Sequence, residues 1–209
     1  MLVKLYLKII KRRFFAFSHI KWWLRGFGPP SPQFIKLRIL SRNCVPGAAW
    51  IETGTYLGET TRFLSKNSKM VFSIEPAAIL HKFASKRLSR LNNVQIVFGT
   101  SEEVFETIIN KLEGEANFWL DGHASGDITF SNQEVTPIVH ELEILAKHIS
   151  RFDRCAIFID DVRGFSDKAG TSKYPSKEFL VEWANVNNCT WSIEHDIFIA
   201  KKTKVDARY

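Results

Sequence analysis

The sequence predicts an α/β protein built on one open, doubly wound sheet, mostly parallel with an antiparallel last strand. Three observations carry that prediction. From about residue 48, short apolar runs alternate with segments of helical periodicity, the pattern of a parallel sheet with right-handed crossovers. A glycine turn, Glu52-Thr53-Gly54-Thr55-Tyr56-Leu57-Gly58, joins the first strand to the first helix. Four of the first five strands end in acids: Glu52, Glu75, Asp121 and the pair Asp160-Asp161. Ligands of such sheets bind beyond the carboxyl ends of the strands, so these acids predict one functional edge.

The first region is distinct in charge. Residues 1–51 hold ten Lys or Arg and no Asp or Glu; the remainder holds nineteen against twenty-two acids. The basic balance therefore belongs to the N-terminal segment. The mildly acidic body argues against a domain coated for nucleic acid. In residues 1–27, Lys4, Lys8, Lys11 and Arg12 fall near one helical face, and Val3, Leu7, Ile10, Phe14 and Phe17 on the other; Trp22 and Trp23 follow. No apolar run is long enough to span a bilayer, and lysines interrupt any signal-peptide pattern. A basic amphipathic helix of this kind suits a membrane surface. It equally suits packing on its own domain or on a second subunit in a homodimer. Gly26–Pro32 (GFGPPSP) reads as a linker. The chain thus divides into a segment over 1–32 and a domain over 33–209. The expected location is cytoplasmic, with the membrane surface as an open alternative. Cys44, Cys155 and Cys189 lack C-x-x-C spacing; they read as thiols in a reducing compartment rather than a disulfide framework or zinc site.

The elements follow in order. Strands are expected over Ala48–Thr53, Met70–Glu75, Val94–Phe98, Ala116–Asp121 and Ala156–Asp160. The helices between them are expected over Gly58–Ser68, Ala77–Leu91, Glu102–Leu112 and Glu134–Ser150. A polar loop runs from Gly122 to about Asn132. Lys177–Asn185 reads as helix, and Thr190–His195 with Ile197–Lys201 as a hairpin turning at His195-Asp196.

The acids divide by chemistry. Gly54 and Gly58 let a ligand approach the main chain at a helix start, with Thr55, Thr60 and Thr61 lining or capping the turn. Tyr56 stands where a dinucleotide fingerprint has its second glycine, so that fingerprint is not met. Glu75 lies near the distance at which such folds place an acid on a ribose. Asp121, Asp160 and Asp161 lie on adjacent strands, and three converging carboxylates repel unless a cation or protons offset them. Oxygen ligands of this type suit Mg²⁺, with Ca²⁺ or Mn²⁺ as alternatives. Each acid taken singly also suits a helix N-cap or a solvated loop end.

The pattern ETGTYLGET resembles the first motif of class I S-adenosylmethionine-dependent methyltransferases, in the form of the catechol O-methyltransferase-like enzymes. FWLDG and FIDDV resemble the metal sites of that group and of macrocin O-methyltransferase-like sugar methyltransferases. The resemblance covers roughly residues 48–202 and implies a Rossmann-like fold. It implies Glu52, Gly54, Tyr56 and Gly58 around the methionine part of the cofactor and Glu75 on its ribose. It places Gly99, Thr100, Ser101 and Glu102 beside adenine, and makes Asp121, Asp160 and Asp161 metal ligands.

The sequence departs from that pattern in one place. The lysine expected in D-x-x-K after the strand-four acid is missing; Asp121 is followed by Gly122, His123, Ala124 and Ser125. His123 is the nearest candidate base, since imidazole accepts a proton near pH 7; a loop histidine or an extra metal ligand are the alternatives. Arg163 suits either an anionic substrate group or a surface ion pair. The expected reaction is metal-dependent methyl transfer from S-adenosylmethionine to a hydroxyl of a small molecule or sugar. Two other classes stay open: a non-catalytic nucleoside- or metal-binding protein, and a metal-dependent hydroxylase or hydrolase on the same fold.

Overall fold

A computed structural model describes residues 18–121, 136–165 and 174–203. Residues 18–24 form the described part of a first helix, α1. The order then runs α2 (Gln33–Asn43), β1 (Ala49–Thr53), α3 (Glu59–Leu64), β2 (Val71–Glu75), α4 (Ala78–Leu88), β3 (Val94–Phe98), α5 (Ser101–Ile109) and β4 (Gly114–Leu120). It continues through α6 (Ile138–His148), β5 (Phe152–Ile159), α7 (Lys177–Val186), β6 (Thr190–Glu194) and β7 (Ile197–Lys202). The strands form one sheet in the order β3-β2-β1-β4-β5-β7-β6. Parallel pairing runs from β3 to β5, and β7 is antiparallel to both of its neighbours. The predicted architecture is therefore the observed one.

The sheet is covered on both faces. Ile39 and Leu40 of α2 and Leu64 of α3 pack with Trp50, Trp119, Phe158 and Ile199. On the other face Phe105 and Ile108 of α5, Leu142 and Leu145 of α6, and Leu180 and Trp183 of α7 pack with Ile51, Phe118 and Ile157. Two-sided burial is why AWIET and VFSIE are buried throughout, acids included. It also sets the carboxyl ends of β1, β2, β4 and β5 side by side.

Two features differ from the sequence reading. No helix was expected over Gln33–Asn43, because only Ile39 and Leu40 in it are buried and the apolar stripe is correspondingly short. β5 begins at Phe152 rather than Ala156. Its exposed Asp153 and Arg154 hid it, and Arg154 is held in register by an ion pair to Glu115 of β4.

The described end of the N-terminal segment rests on the domain. Trp22 is 7% exposed and packs edge-on against Phe27, Phe34 and His195. Ser31 Oγ donates to the His195 carbonyl at 3.1 Å. Residues 1–17 of the amphipathic pattern, the Gly122–Asn132 loop and the expected helix start at Glu134 lie outside the described residues. Among the described residues, no helix is long and apolar enough to cross a membrane.

Candidate functional site

The glycine turn is shaped by left-handed backbone. Gly54 has φ 89° and Gly58 φ 74°. A Cβ on Gly58 would also meet Leu88 Cδ1 of α4 at 2.8 Å. Tyr56, at the place of the missing second glycine, nevertheless takes φ 50°, a conformation uncommon for a bulky residue. It is held there by Glu75, whose Oε2 accepts the Tyr56 N–H at 2.8 Å while Oε1 accepts the Ala77 N–H at 3.0 Å. Gly54 and Thr55 donate their N–H groups to the Ile74 carbonyl. The end of β2 thus fixes the turn that follows β1.

Glu52 lies beneath this turn. It is fully buried, and its Oε2 accepts from Thr61 Oγ1 and Ser73 Oγ, each at 2.6 Å. Ser73 Oγ also meets Thr55 Oγ1 at 2.6 Å. Burial pushes the Glu52 carboxyl up to about 7, against the two hydroxyls that pull it down. Its place is therefore under the turn as well as in the motif. Thr60 Oγ1 accepts from Gln33 Nε2 at 2.8 Å, tying the start of α3 to the start of α2.

Past β3, Gly99 leads into α5. Thr100 is the N-cap of that helix, and the Glu103 carboxylate accepts the Thr100 N–H at 3.0 Å. Ser101 is buried and Glu102 half-buried at the same edge. Glu141 of α6, unforeseen in the sequence, is buried here as well. Burial pushes it up to about 7, while the Ser101 hydroxyl pulls it back. Glu52 Oε1, Thr53 Oγ1 and Glu141 Oε1 are buried without a hydrogen-bond partner among the described residues. Unpaired buried oxygens of this kind gather where a polar ligand or a proton completes the site.

The other half of the edge is ionic. The Asp121 N–H donates to Thr53 O and the Asp160 N–H to Leu120 O, which carries the two chains past the sheet side by side. Asp160 is 2% exposed, and its Oδ1 accepts the Asp161 N–H at 2.8 Å. Its Oδ2 is bonded by Lys36 Nζ from α2, which also stands 3.6 Å from Asp161 Oδ1. Burial opposes the Lys36 charge, but Asp160, with Asp121 and Asp161, holds the ammonium above its ordinary range. Asp161 is itself left-handed at φ 56°, and its Oδ1 accepts from Arg163 at 2.5 Å; Arg163 also pairs with Asp196 in the β6–β7 turn. The Tyr174 hydroxyl is pushed up by burial and by Asp161 and Asp121 nearby.

These donors do not fit a divalent cation. Lys36 occupies Asp160 Oδ2 and stands 3.6 Å from Asp161 Oδ1, to which Arg163 also bonds. Among the described residues no three His, Cys, Asp or Glu side chains are grouped to hold a metal ion. Asp121, Asp160 and Asp161 are brought to one edge as expected; there Asp160 pairs with Lys36, and Asp161 stands near Lys36 and pairs with Arg163. His123 lies outside the described residues.

The sequence signals for the missed residues were weak but real. Lys36 stands three and four residues before the buried Ile39 and Leu40. Glu141 sits within the stripe Ile138, Leu142 and Leu145. A charged residue in register with a buried stripe calls for a buried partner. Tyr174 carries no such signal.

No family model matches the chain, and no curated protein does. Solved structures share its fold. A candidate rRNA methylase from Clostridium thermocellum superposes with a TM-score of 0.53 at 14% identity, over 82% of this chain and 96% of that one. The 23S rRNA methyltransferase ErmE gives 0.51 at 15% identity, over 84% and 69%. A candidate methyltransferase from Streptococcus mutans, solved with SAH, gives 0.50 at 17% identity, over 83% and 97%. The seven-stranded sheet with its antiparallel strand is thus the class I methyltransferase fold.

Proposed function

We propose that the chain transfers a methyl group from S-adenosylmethionine to a hydroxyl oxygen of a small molecule or sugar. The observation that carries this reading is the glycine turn. Its left-handed Tyr56 is fastened to the Glu75 carboxylate, its left-handed Gly58 donates its N–H to the Thr55 carbonyl, and its mouth opens at the edge where this fold binds ligands. S-adenosylmethionine, when bound, supplies a methyl group already activated on a sulfonium.

The chain's own residues then divide the work. Gly54, Thr55, Tyr56 and Gly58 present main chain to the methionine part, with Glu52 and Thr60 holding the turn's shape. Each Glu75 oxygen accepts one backbone N–H and keeps a lone pair for a ribose hydroxyl. Thr100, Ser101 and Glu102 stand on the adenine side. The acceptor lies toward β4 and β5, where Asp121, or His123 two residues on, takes the hydroxyl proton. The acceptor oxygen forms a C–O bond as the methyl C–S bond breaks, and positioning supplies most of the acceleration. Mg²⁺ dependence, expected from the motifs, finds no fitting donor set, and no step is assigned to it.

The acidic body and carboxylate-rich edge favour a neutral hydroxyl acceptor over nucleic acid. Membrane contact or pairing with a second copy through residues 1–27 stays part of the proposal, on the charge pattern of that segment.

Calorimetric titration with S-adenosylmethionine tests the reading. Wild type should bind, and Gly54→Val, which forces a β-branched residue to φ 89°, should lose about 10²-fold or more in affinity while remaining folded by circular dichroism. Equal affinity in the folded variant would remove the turn from the site, and a folded wild type that does not bind would end the proposal.

A further inference from the structure

We propose that Lys36 is the resident cation of the acceptor site, standing where a metal-dependent enzyme of this fold holds a divalent ion, so that the site works without metal. This rests on reading the β4–β5 end as the acceptor side.

The placement is built into the fold. Lys36 lies mid-helix in α2. Gln33 bonds to Thr60 at the helix start, Asn43 Oδ1 accepts from Lys201 Nζ at 2.6 Å at its end, and Ile39 and Leu40 are buried between them. The lysine stem is therefore delivered by an anchored element rather than by a loop. Its side chain is 13% exposed, and the carboxylate it meets on Asp160 is wholly buried. Three of the oxygens are also committed: Asp160 Oδ1 to the Asp161 N–H, Asp160 Oδ2 to Lys36, and Asp161 Oδ1 to Arg163 with Lys36 at 3.6 Å. A divalent ion entering here would meet an ammonium within contact distance of its own ligands, and like charges so close repel strongly.

The substitution changes the chemistry. An ammonium carries three N–H donors. One bonded to Asp160 and one turned toward Asp161 leave a third for an acceptor oxygen. That donor can stabilise the charge growing on the oxygen as its proton leaves. Unlike Mg²⁺, a single ammonium does not impose a fixed geometry on two adjacent substrate oxygens. The acceptor therefore does not need a vicinal diol or catechol; one hydroxyl suffices.

The test uses the full chain and Mn²⁺ as the probe, read from the paramagnetic resonance signal of the free ion, with S-adenosylmethionine calorimetry on the same samples. Wild type should leave Mn²⁺ free at about 1 mM, and Lys36→Ala should bind it at least about tenfold more tightly. Lys36→Arg, which keeps the charge, should exclude it as wild type does. Lys36→Gln replaces Lys36→Ala if the latter does not fold. Wild-type binding of Mn²⁺ below about 0.1 mM that Asp160→Asn abolishes would overturn the proposal. So would folded Lys36 variants that gain no Mn²⁺. Cofactor binding is read separately: a wild type that excludes Mn²⁺ but also fails to bind S-adenosylmethionine would sink the methyltransferase reading and with it the acceptor role of Lys36, leaving only the exclusion of metal by the lysine.

Discussion

The two halves of the carboxyl edge use the same residue type in opposite ways. At the β1–β2 end, Glu52 and Glu75 meet only hydroxyls and backbone N–H groups, and they shape a turn. At the β4–β5 end, Asp160 and Asp161 meet a lysine and an arginine. Burial without a cation lifts Glu52 toward neutrality, whereas burial beside carboxylates keeps Lys36 charged. A carboxylate at a strand end is thus not a functional statement by itself. Its partner decides whether it serves as a structural hydrogen-bond acceptor or as half of an ion pair.

The strongest way to break this comparison is to remove the cation. Lys36→Met leaves Asp160 buried and unpaired, and urea unfolding should show a loss of about 3–5 kcal/mol. Adding Asp160→Asn should recover much of it, since a neutral pair avoids the stranded charge. If the single variant is as stable as wild type, the ion pair does not form in solution.

The next effect concerns acids buried without a cation. Glu141 has a folded pKa of about 7 against an ordinary 4.5, so between those values the folded state holds more protons than the unfolded one. The stability tied to its protonation is present below pH 4.5 and is lost as pH rises through 7. Glu141→Gln removes that loss. Thermal melts should therefore favour the variant over wild type by about 2–3 kcal/mol more at pH 8 than at pH 5. An offset that is the same at both pH values would mean that Glu141 is ionised throughout.

The smallest effect is expected at Arg163, which is more than a third exposed. Arg163→Ala should change stability by under about 1 kcal/mol. The Arg163 backbone N–H still donates to Asp196 Oδ1 at 2.7 Å in that variant and keeps the turn. A larger loss in urea unfolding would place Arg163 with Lys36 as a structural cation.

Much was legible in the sequence. The strand runs could be read because two-sided burial makes them continuously apolar, and the acids stood out because they end such runs. The hairpin at His195-Asp196 was legible as well, and both residues do take positive φ there. What escaped were residues whose meaning depends on a neighbour remote in sequence. Lys36 and Asp160 are separated by 124 positions. The stripe in IKLRIL calls for a buried partner of Lys36, but nothing local to it says which carboxylate supplies one.

The sequence alone determined the order of elements from β1 onward, the sheet's mixed character and which strand ends carry acids, because these follow from local periodicity and punctuation. Only the tertiary structure decided that Glu75 would hold Tyr56 in a glycine-like conformation, that Glu141 would be buried beside Ser101 and Thr53, and that a lysine would stand among the aspartates. Those outcomes depend on which side chains the crossovers bring within hydrogen-bond reach, and pairing at that range is set by packing in three dimensions rather than by any pattern along the chain.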